Sequence, residues 1–314
     1  METLNNCPIC SGTALKPFVS CIDYTVSRET FNIVQCEACG FRFTNPRPAE
    51  GEIGKYYESE EYISHSGTSR GVVNKAYQLV RNYTIKQKVK LINRISGGEG
   101  RGAKDILDIG CGTGEFLNAC KQNGWSITGI EPSEIARKNA KEKYGLSFFE
   151  SLVTLPLKGT TEGWERSSGG GLGFNIISMW HVLEHVHQLD KTIQQINKLL
   201  VDDGVLIVAV PNCDSWDAKK YGAHWAAWDL PRHLYHFTKK DIETLFTKAG
   251  FKLTKVLPMK FDSYYVSLLS EKYKTGKTNL LKGLLDGFES NAAARERKNG
   301  FSSQIYILRK SKTN

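Results

Sequence analysis

Four of the chain's eight cysteines fall into two C-x-x-C pairs, Cys7-Pro-Ile-Cys10 and Cys36-Glu-Ala-Cys39. Glycine follows each pair (Gly12 after one serine, Gly40 directly), which gives each the form of a zinc knuckle, where backbone amides turn toward sulfur. Four thiolates at about 2.3 Å close a tetrahedral site with no position left for water. The zinc expected at Cys7, Cys10, Cys36 and Cys39 is therefore structural, stabilising a module too small for a core of its own. A redox dithiol is the competing reading. The separation between the pairs leaves space for a hairpin over Phe18–Ile33.

A second constellation is Asp108-Ile-Gly-Cys-Gly-Thr-Gly114. Gly110, Gly112 and Gly114, with Cys111 between them, permit a tight turn in which a ligand meets bare backbone. The spacing is G-x-G-x-G and an acid precedes the first glycine by two. A pyrophosphate prefers a neutral or positive loop, whereas Asp108 suits a ligand carrying an ammonium and a sulfonium. Further on, Ile130-Glu131-Pro132 ends the next strand and puts a carboxylate where it can accept hydrogen bonds from both hydroxyls of a ribose. The alternative for Glu131 is a surface cap on the helix that Pro132 starts.

Histidines make a third group. His181-Val-Leu-Glu-His185 formally matches a zinc-peptidase pattern, but that chemistry needs its ligands on one face of a continuous helix, and His181 sits at a strand end. An imidazole is suited to removing a proton at neutral pH; a hydrogen-bonded helix start supporting the pocket is the competing reading for Glu184 and His185. Between Asn212 and Phe237 lie Trp216, Tyr221, Trp225, Trp228, Arg232, His233 and Tyr235. Such a loop suits a substrate lid, with Arg232 free to pair with a phosphate or carboxylate; a structural aromatic corner is the alternative.

These residues need elements to hold them. Apolar residues recur at helical spacing from Val72 to Ile95, and Ser96–Gly102 forms a glycine-rich link. Short apolar runs then alternate with helical patterns: strands at Asp105–Ile109, Ser126–Ile130, Ser147–Phe149, Phe174–Met179 and Val205–Val210, with helices near Glu115–Gln122, Ser133–Tyr144 and Leu189–Leu200. A helix over Asp241–Ala249 and strands at Phe251–Leu257 and Ser303–Leu308 complete the pattern, and Lys158–Gly173 reads as an inserted loop. The alternation specifies parallel βαβ units. Asn45-Pro-Arg-Pro48 breaks the chain after the cysteine pairs, giving a zinc-ribbon module at 1–48, a helical linker or cap at 49–102 and a large α/β domain at 103–314.

The chain is similar to class I S-adenosylmethionine-dependent methyltransferases of the broad ubiquinone-biosynthesis-like group, over roughly residues 101 to 314. The resemblance rests on Asp108–Gly114, Ile130-Glu131-Pro132-Ser133, Trp180–Val186, Gly204–Asn212 and Pro231–Thr238 before a helix ending in Ala249-Gly-Phe251. It implies a doubly wound, mostly parallel seven-stranded sheet with an antiparallel last hairpin and the cofactor across the strand ends. Asp108, Gly110, Cys111, Gly112, Gly114, Glu131, Pro132 and Trp180 then become its binding residues, with Ser151 and Leu152 approaching the adenine. His181, Glu184, His185 and His233 become candidates for proton transfer at the acceptor. In some quinone-type relatives the glutamate and final histidine help to bind a divalent metal; His181, where those relatives are acidic, weighs against it here. The front module resembles the cysteine-rich modules of certain sugar C-methyltransferases, and with Tyr56, Tyr57 and Tyr62 it is expected to cover the substrate side.

The expected function is methyl transfer by in-line displacement to oxygen, carbon or nitrogen of a small or carrier-linked metabolite. The formal net charge of +9 is concentrated late in the chain and raises RNA as an alternative acceptor. Against a nucleic-acid partner, no Asn-Pro-Pro-Tyr-like stretch follows the fourth strand and the aromatics are not interleaved with the lysines. A non-catalytic cofactor-binding scaffold is the other alternative. No apolar run approaches the roughly 20 residues of a membrane span, and Met1–Cys10 lacks the basic and apolar regions of a signal peptide, so a cytoplasmic location is expected.

Overall fold

The unbroken burial from Ile106 to Ile109 in the strand Asp105–Ile109 already shows how the large sheet is covered. Leu107 and Ile109 join one core cluster with Phe43, Ile177 and Phe246, while Ile106 joins another with Val89, Ile92, Leu117 and Ile305. Successive strand residues point to opposite faces, so the sheet is buried on both. The structure, a computed structural model, describes residues 1–58, 72–96, 104–155, 173–296 and 300–311, with 72–77 described as backbone alone. Tyr62, nearly all of the link and nearly all of the Lys158–Gly173 insert lie outside the described residues.

The elements are β1 (Leu15–Ile22), β2 (Thr30–Cys36), β3 (Arg42–Thr44), α1 (Val72–Ile95), β4 (Asp105–Ile109), α2 (Glu115–Gln122), β5 (Ser126–Ile130), α3 (Glu134–Tyr144) and β6 (Phe174–Trp180). They continue with α4 (Leu189–Leu199), β7 (Leu200–Pro211), α5 (Trp216–Tyr221), β8 (Tyr235–His236), α6 (Lys239–Lys248), β9 (Phe251–Pro258), α7 (Asp262–Thr275), α8 (Leu280–Glu296) and β10 (Ser303–Lys310). Local chemistry sets several boundaries. The Ser133 hydroxyl caps α3 at Ala136 N–H and Gly145, in the left-handed region, ends it. Thr238 and Asp241 form a capping box on α6.

The large sheet runs β5-β4-β6-β7-β10-β9. β5, β4, β6 and β7 are parallel, and β10 lies antiparallel between β7 and β9. The expected doubly wound α/β sheet is present, but with six strands rather than seven. The strand expected at Ser147–Phe149 reduces to one parallel bridge between Ile130 and Phe149. The chain leaves the edge there because the residues that follow close on themselves, Ser151 N–H donating to the Thr154 hydroxyl and Thr154 N–H to that of Ser151.

The cysteine-bearing hairpin does not stand apart. β1, β2 and β3 form a second sheet whose fourth strand is β8, from far along the chain, and Phe41 and Phe43 share a core cluster with Leu107 and Phe246. Packing is continuous across residue 48. Helices α7 and α8, not anticipated from sequence, form an antiparallel hairpin before β10. Among the described residues, no helix is long and apolar enough to cross a membrane.

Candidate active site

β4 delivers the glycine turn at its C-terminal end. Gly110, Gly112 and Gly114 all have positive φ, at 72°, 55° and 81°, and Gly110 and Cys111 N–H donate to Ile130 O at 2.7 and 3.0 Å, fastening the turn to β5. A side chain at Gly110 would run into Val182, whereas a Cβ at Gly112 meets nothing within 4 Å, so bare backbone is open to a ligand at Gly112. Glu131 is turned toward this turn: it accepts Gly112 N–H at 2.8 Å on one oxygen and Ser133 N–H at 2.9 Å on the other. Burial pushes its pKa up, and those two N–H groups offset part of that. Each oxygen keeps a second lone pair. Pro132 is exposed beside it.

Beneath the turn, Asp108 is buried and accepts the Ser178 hydroxyl at 2.6 Å. Burial raises its pKa to about 7, against the pull of Ser178 and the Lys88 charge. Burial and the charges of Asp108 and Glu131 push the Cys111 thiol up, so it is no nucleophile. Trp180, at the end of β6, has a buried Nε1 with no partner; its ring lies 5.7 Å from Phe116 and 4.1 Å under the Lys88 ammonium. Ser151 bonds within its own turn, and Leu152 packs at the edge of the larger core.

The histidines divide into two settings. His181, in the left-handed region at φ 57°, places Nδ1 3.3 Å from Glu184 and Nε2 3.0 Å from Asp262. Burial disfavours its charge, but the two carboxylates more than offset that and raise its pKa to about 10. At neutral pH it is an imidazolium, which has no lone pair to accept a proton. His185, in the 3-10 turn Leu183–His185, is the reverse: burial and the neighbouring His233 lower it to about 4. Its Nδ1 lies 3.0 Å from Arg232 O, which can only accept, so Nδ1 carries the proton and Nε2 keeps its lone pair. His233 Nδ1 lies 2.9 Å from Ala227 O, and its Nε2 lies 3.9 Å from Asp229 Oδ2. The ligand atoms of Glu184, His185 and His233 lie within 4.8 Å of one another, and buried Glu184 Oε2 has no partner. These three are brought together; His181 stands on the far side of Glu184.

Residues 80–256, more than half of the chain, match the model of a family described as a methyltransferase domain. This chain belongs to that family. Ubiquinone biosynthesis O-methyltransferase of Haemophilus ducreyi is 32% identical over 181 residues, covering 54% of this methyltransferase and 72% of that protein. The enzyme of the same description from Actinobacillus pleuropneumoniae serotype 5b is 32% identical over 144 residues, 43% of this chain and 58%, less than two thirds, of that protein. Among solved structures, magnesium protoporphyrin IX methyltransferase from Synechocystis PCC 6803 with bound SAH is 15% identical, with a TM-score of 0.49 over 82% of this chain and 98% of that one. The methyltransferase resemblance read from the glycine turn and its acidic partner is thereby met at the level of the family.

In this methyltransferase the four paired cysteines converge. Cys7 and Cys39 sulfurs are 3.6 Å apart and those of Cys10 and Cys36 3.5 Å, close to the roughly 3.8 Å edge of a tetrahedron with metal–sulfur bonds of about 2.3 Å. The knuckle turns use Ser11 at φ 60° and Gly40 at φ 86°. Gly12 instead lies close against the sulfurs, where a Cβ would sit 3.3 Å from that of Cys10.

The aromatic stretch after β7 is not an open lid. Tyr221, Trp225 and Trp228 are buried between the front sheet and α7, and Tyr235 and Phe237 are buried in the larger core with Phe41 and Phe246. Arg232 does not await a substrate anion either: it is 1% exposed and donates to Asp23 at 2.9 Å, Asp229 at 2.7 Å and Tyr56 O at 2.9 Å. Long-range packing consumed the groups that the sequence left free. Conversely, Lys88 and Asp262 escaped notice, while Tyr57, expected on the substrate side, reaches the histidines. Tyr57 OH lies 2.9 Å from His185 Nδ1. A lysine on an amphipathic helix reads as a solvated face, and Asp262 opens a helix with no apolar stripe to announce it.

Proposed function

We propose that this methyltransferase alkylates a hydroxyl oxygen of a small or carrier-linked metabolite, with Glu131 and the Gly112 backbone holding the donor's nucleoside and His185 receiving the acceptor's proton. The observation that carries the reading is the open backbone at Gly112 beside the inward carboxylate of Glu131. When bound, S-adenosylmethionine supplies a methyl group already activated on a cationic sulfur. Glu131 has two lone pairs left for ribose hydroxyls, Asp108 supplies negative charge at the loop, and Ser151 and Leu152 stand at the edge assigned to the adenine. Trp180 walls the pocket. Holding the acceptor in line supplies about 7–11 kcal/mol of barrier reduction, and a base adds about 10²–10⁴-fold. The bare Nε2 of His185 is placed for that, while His181 acts as a positioning residue, orienting Glu184. The names of the relatives support a small-molecule acceptor over RNA or a non-catalytic role. Calorimetry tests the donor site: Glu131→Ala should lower S-adenosylmethionine affinity severalfold, and unchanged affinity would sink the assignment.

The sulfur spacing supports zinc at Cys7, Cys10, Cys36 and Cys39, structural and closed, in a protein working in the cytoplasm. A second reading of the acceptor side is favoured by the orphaned Glu184 Oε2: with the imidazoles of His185 and His233 it forms a carboxylate and two-imidazole set suited to a divalent transition metal. A cation there polarises the acceptor oxygen. Activity lost on chelation and restored by added metal, with the cysteine site still loaded, decides for it.

A further inference from the structure

Helix α8 is built inside out. Its buried face carries Gly283 and Gly287 against α7 and Asp286 and Ser290 against α5, and the two glycines are required there because a Cβ on either would come within 3 Å of the α7 backbone at Leu268 or Tyr264. The opposite face carries Leu280, Leu281, Leu284, Leu285 and Phe288, all exposed, Leu281 at 69% and Phe288 at 60%. Spacings of one, three and four place these five on one side of the helix. Together they present roughly 500 Å² of apolar side chain, at the upper end of what a monomer leaves in water.

The charges around the stripe identify its occupant. Asp286 is neutralised by Lys220 at 2.8 Å and Lys282 at 2.9 Å, and Glu289 by Lys220 at 3.3 Å. Lys274, in the last turn of α7, and Lys277, in the link to α8, stay exposed, on a chain of formal charge +9. A second copy would set like charges together, and the apolar area falls short of the roughly 800 Å² per partner of a stable dimer. A leucine-rich face bordered by lysines matches the boundary of a bilayer with anionic headgroups. We infer that α8 is a peripheral docking helix for an anionic lipid surface. The hairpin also reaches the site, since Asp262 at the start of α7 contacts His181, so docking holds the acceptor side near the lipid. The inference does not depend on which acceptor is methylated.

Sedimentation with vesicles tests it on the full chain. The protein should pellet with phosphatidylcholine–phosphatidylglycerol vesicles and not with phosphatidylcholine alone. Leu284→Glu with Phe288→Glu should weaken partitioning at least about a hundredfold, and Lys277→Gln about fivefold. These positions are exposed, so S-adenosylmethionine binding by calorimetry should stay unchanged in all variants and certify their fold. No pelleting, equal pelleting with both vesicles, or pelleting that survives the double substitution overturns the inference. So does a dimer in analytical ultracentrifugation that the double substitution dissolves, which would make the stripe a self-association surface.

Discussion

His181 Nε2 lies 3.0 Å from Asp262 Oδ2, joining the end of β6 to the start of α7 across 81 residues of chain. On its other side Nδ1 faces Glu184, so the ring is held as a cation between two carboxylates. The histidine that looks most like a base in the motif is the one with its lone pairs already taken.

That contact gives a pH dependence of stability. The folded pKa of His181 is raised from 6.5 to about 10, so its stabilisation is fully present below 6.5 and is lost as pH rises through about 10. Thermal denaturation of the wild type should show a falling Tm over this alkaline window. His181→Gln should flatten the fall.

His185 behaves oppositely. Its pKa is depressed to about 4, so the neutral ring persists well below the ordinary histidine range. With donor and acceptor saturating, kcat should show no loss attributable to an ordinary histidine as pH falls through 6.5. His185→Gln should lower kcat about 10²–10⁴-fold while leaving donor affinity intact.

The glycine turn should be intolerant at Gly110. Its φ of 72° and the Val182 side chain in the path of any Cβ mean that Gly110→Leu must displace either the turn or the 3-10 segment beyond it. Calorimetry should show S-adenosylmethionine binding abolished, with the far-ultraviolet circular dichroism retained.

Arg232 is a structural bolt between the front module and the sheet. Arg232→Met strands Asp23, which is 0% exposed, and should cost about 3–5 kcal/mol in denaturant unfolding. Adding Asp23→Asn should recover part of the loss, because the stranded charge is removed.

Zinc removal should act on folding before chemistry. Cys36→Ser, or a strong chelator, should drop the metal content by elemental analysis and lower Tm. Because β3 pairs with β8, the loosening should reach His233 and Tyr235.

The glycine turn, its acidic neighbour and the cysteine pairs were legible in the order of residues alone. Gly110, Gly112 and Gly114 follow an apolar strand and precede a helix, Glu131 ends the next strand, and the paired cysteines carry their own spacing. In each case local backbone geometry and a short chain separation do the positioning, so order along the chain is nearly order in space. Even there a marginal edge strand at Ser147–Phe149 came out as one bridge, since a three-residue run has too few ladder bonds to hold against the turn that follows it. The setting of the histidines and of Arg232 was not legible there. Whether His181 is a cation depends on Asp262, and whether Arg232 is free depends on Asp23, 209 residues away. Burial and distant charge fix protonation and availability, and neither is written in a residue's neighbours. Helix α8 is the extreme case: its buried face is small and polar and its exposed face apolar, so the rule that places greasy residues inward reads it backwards.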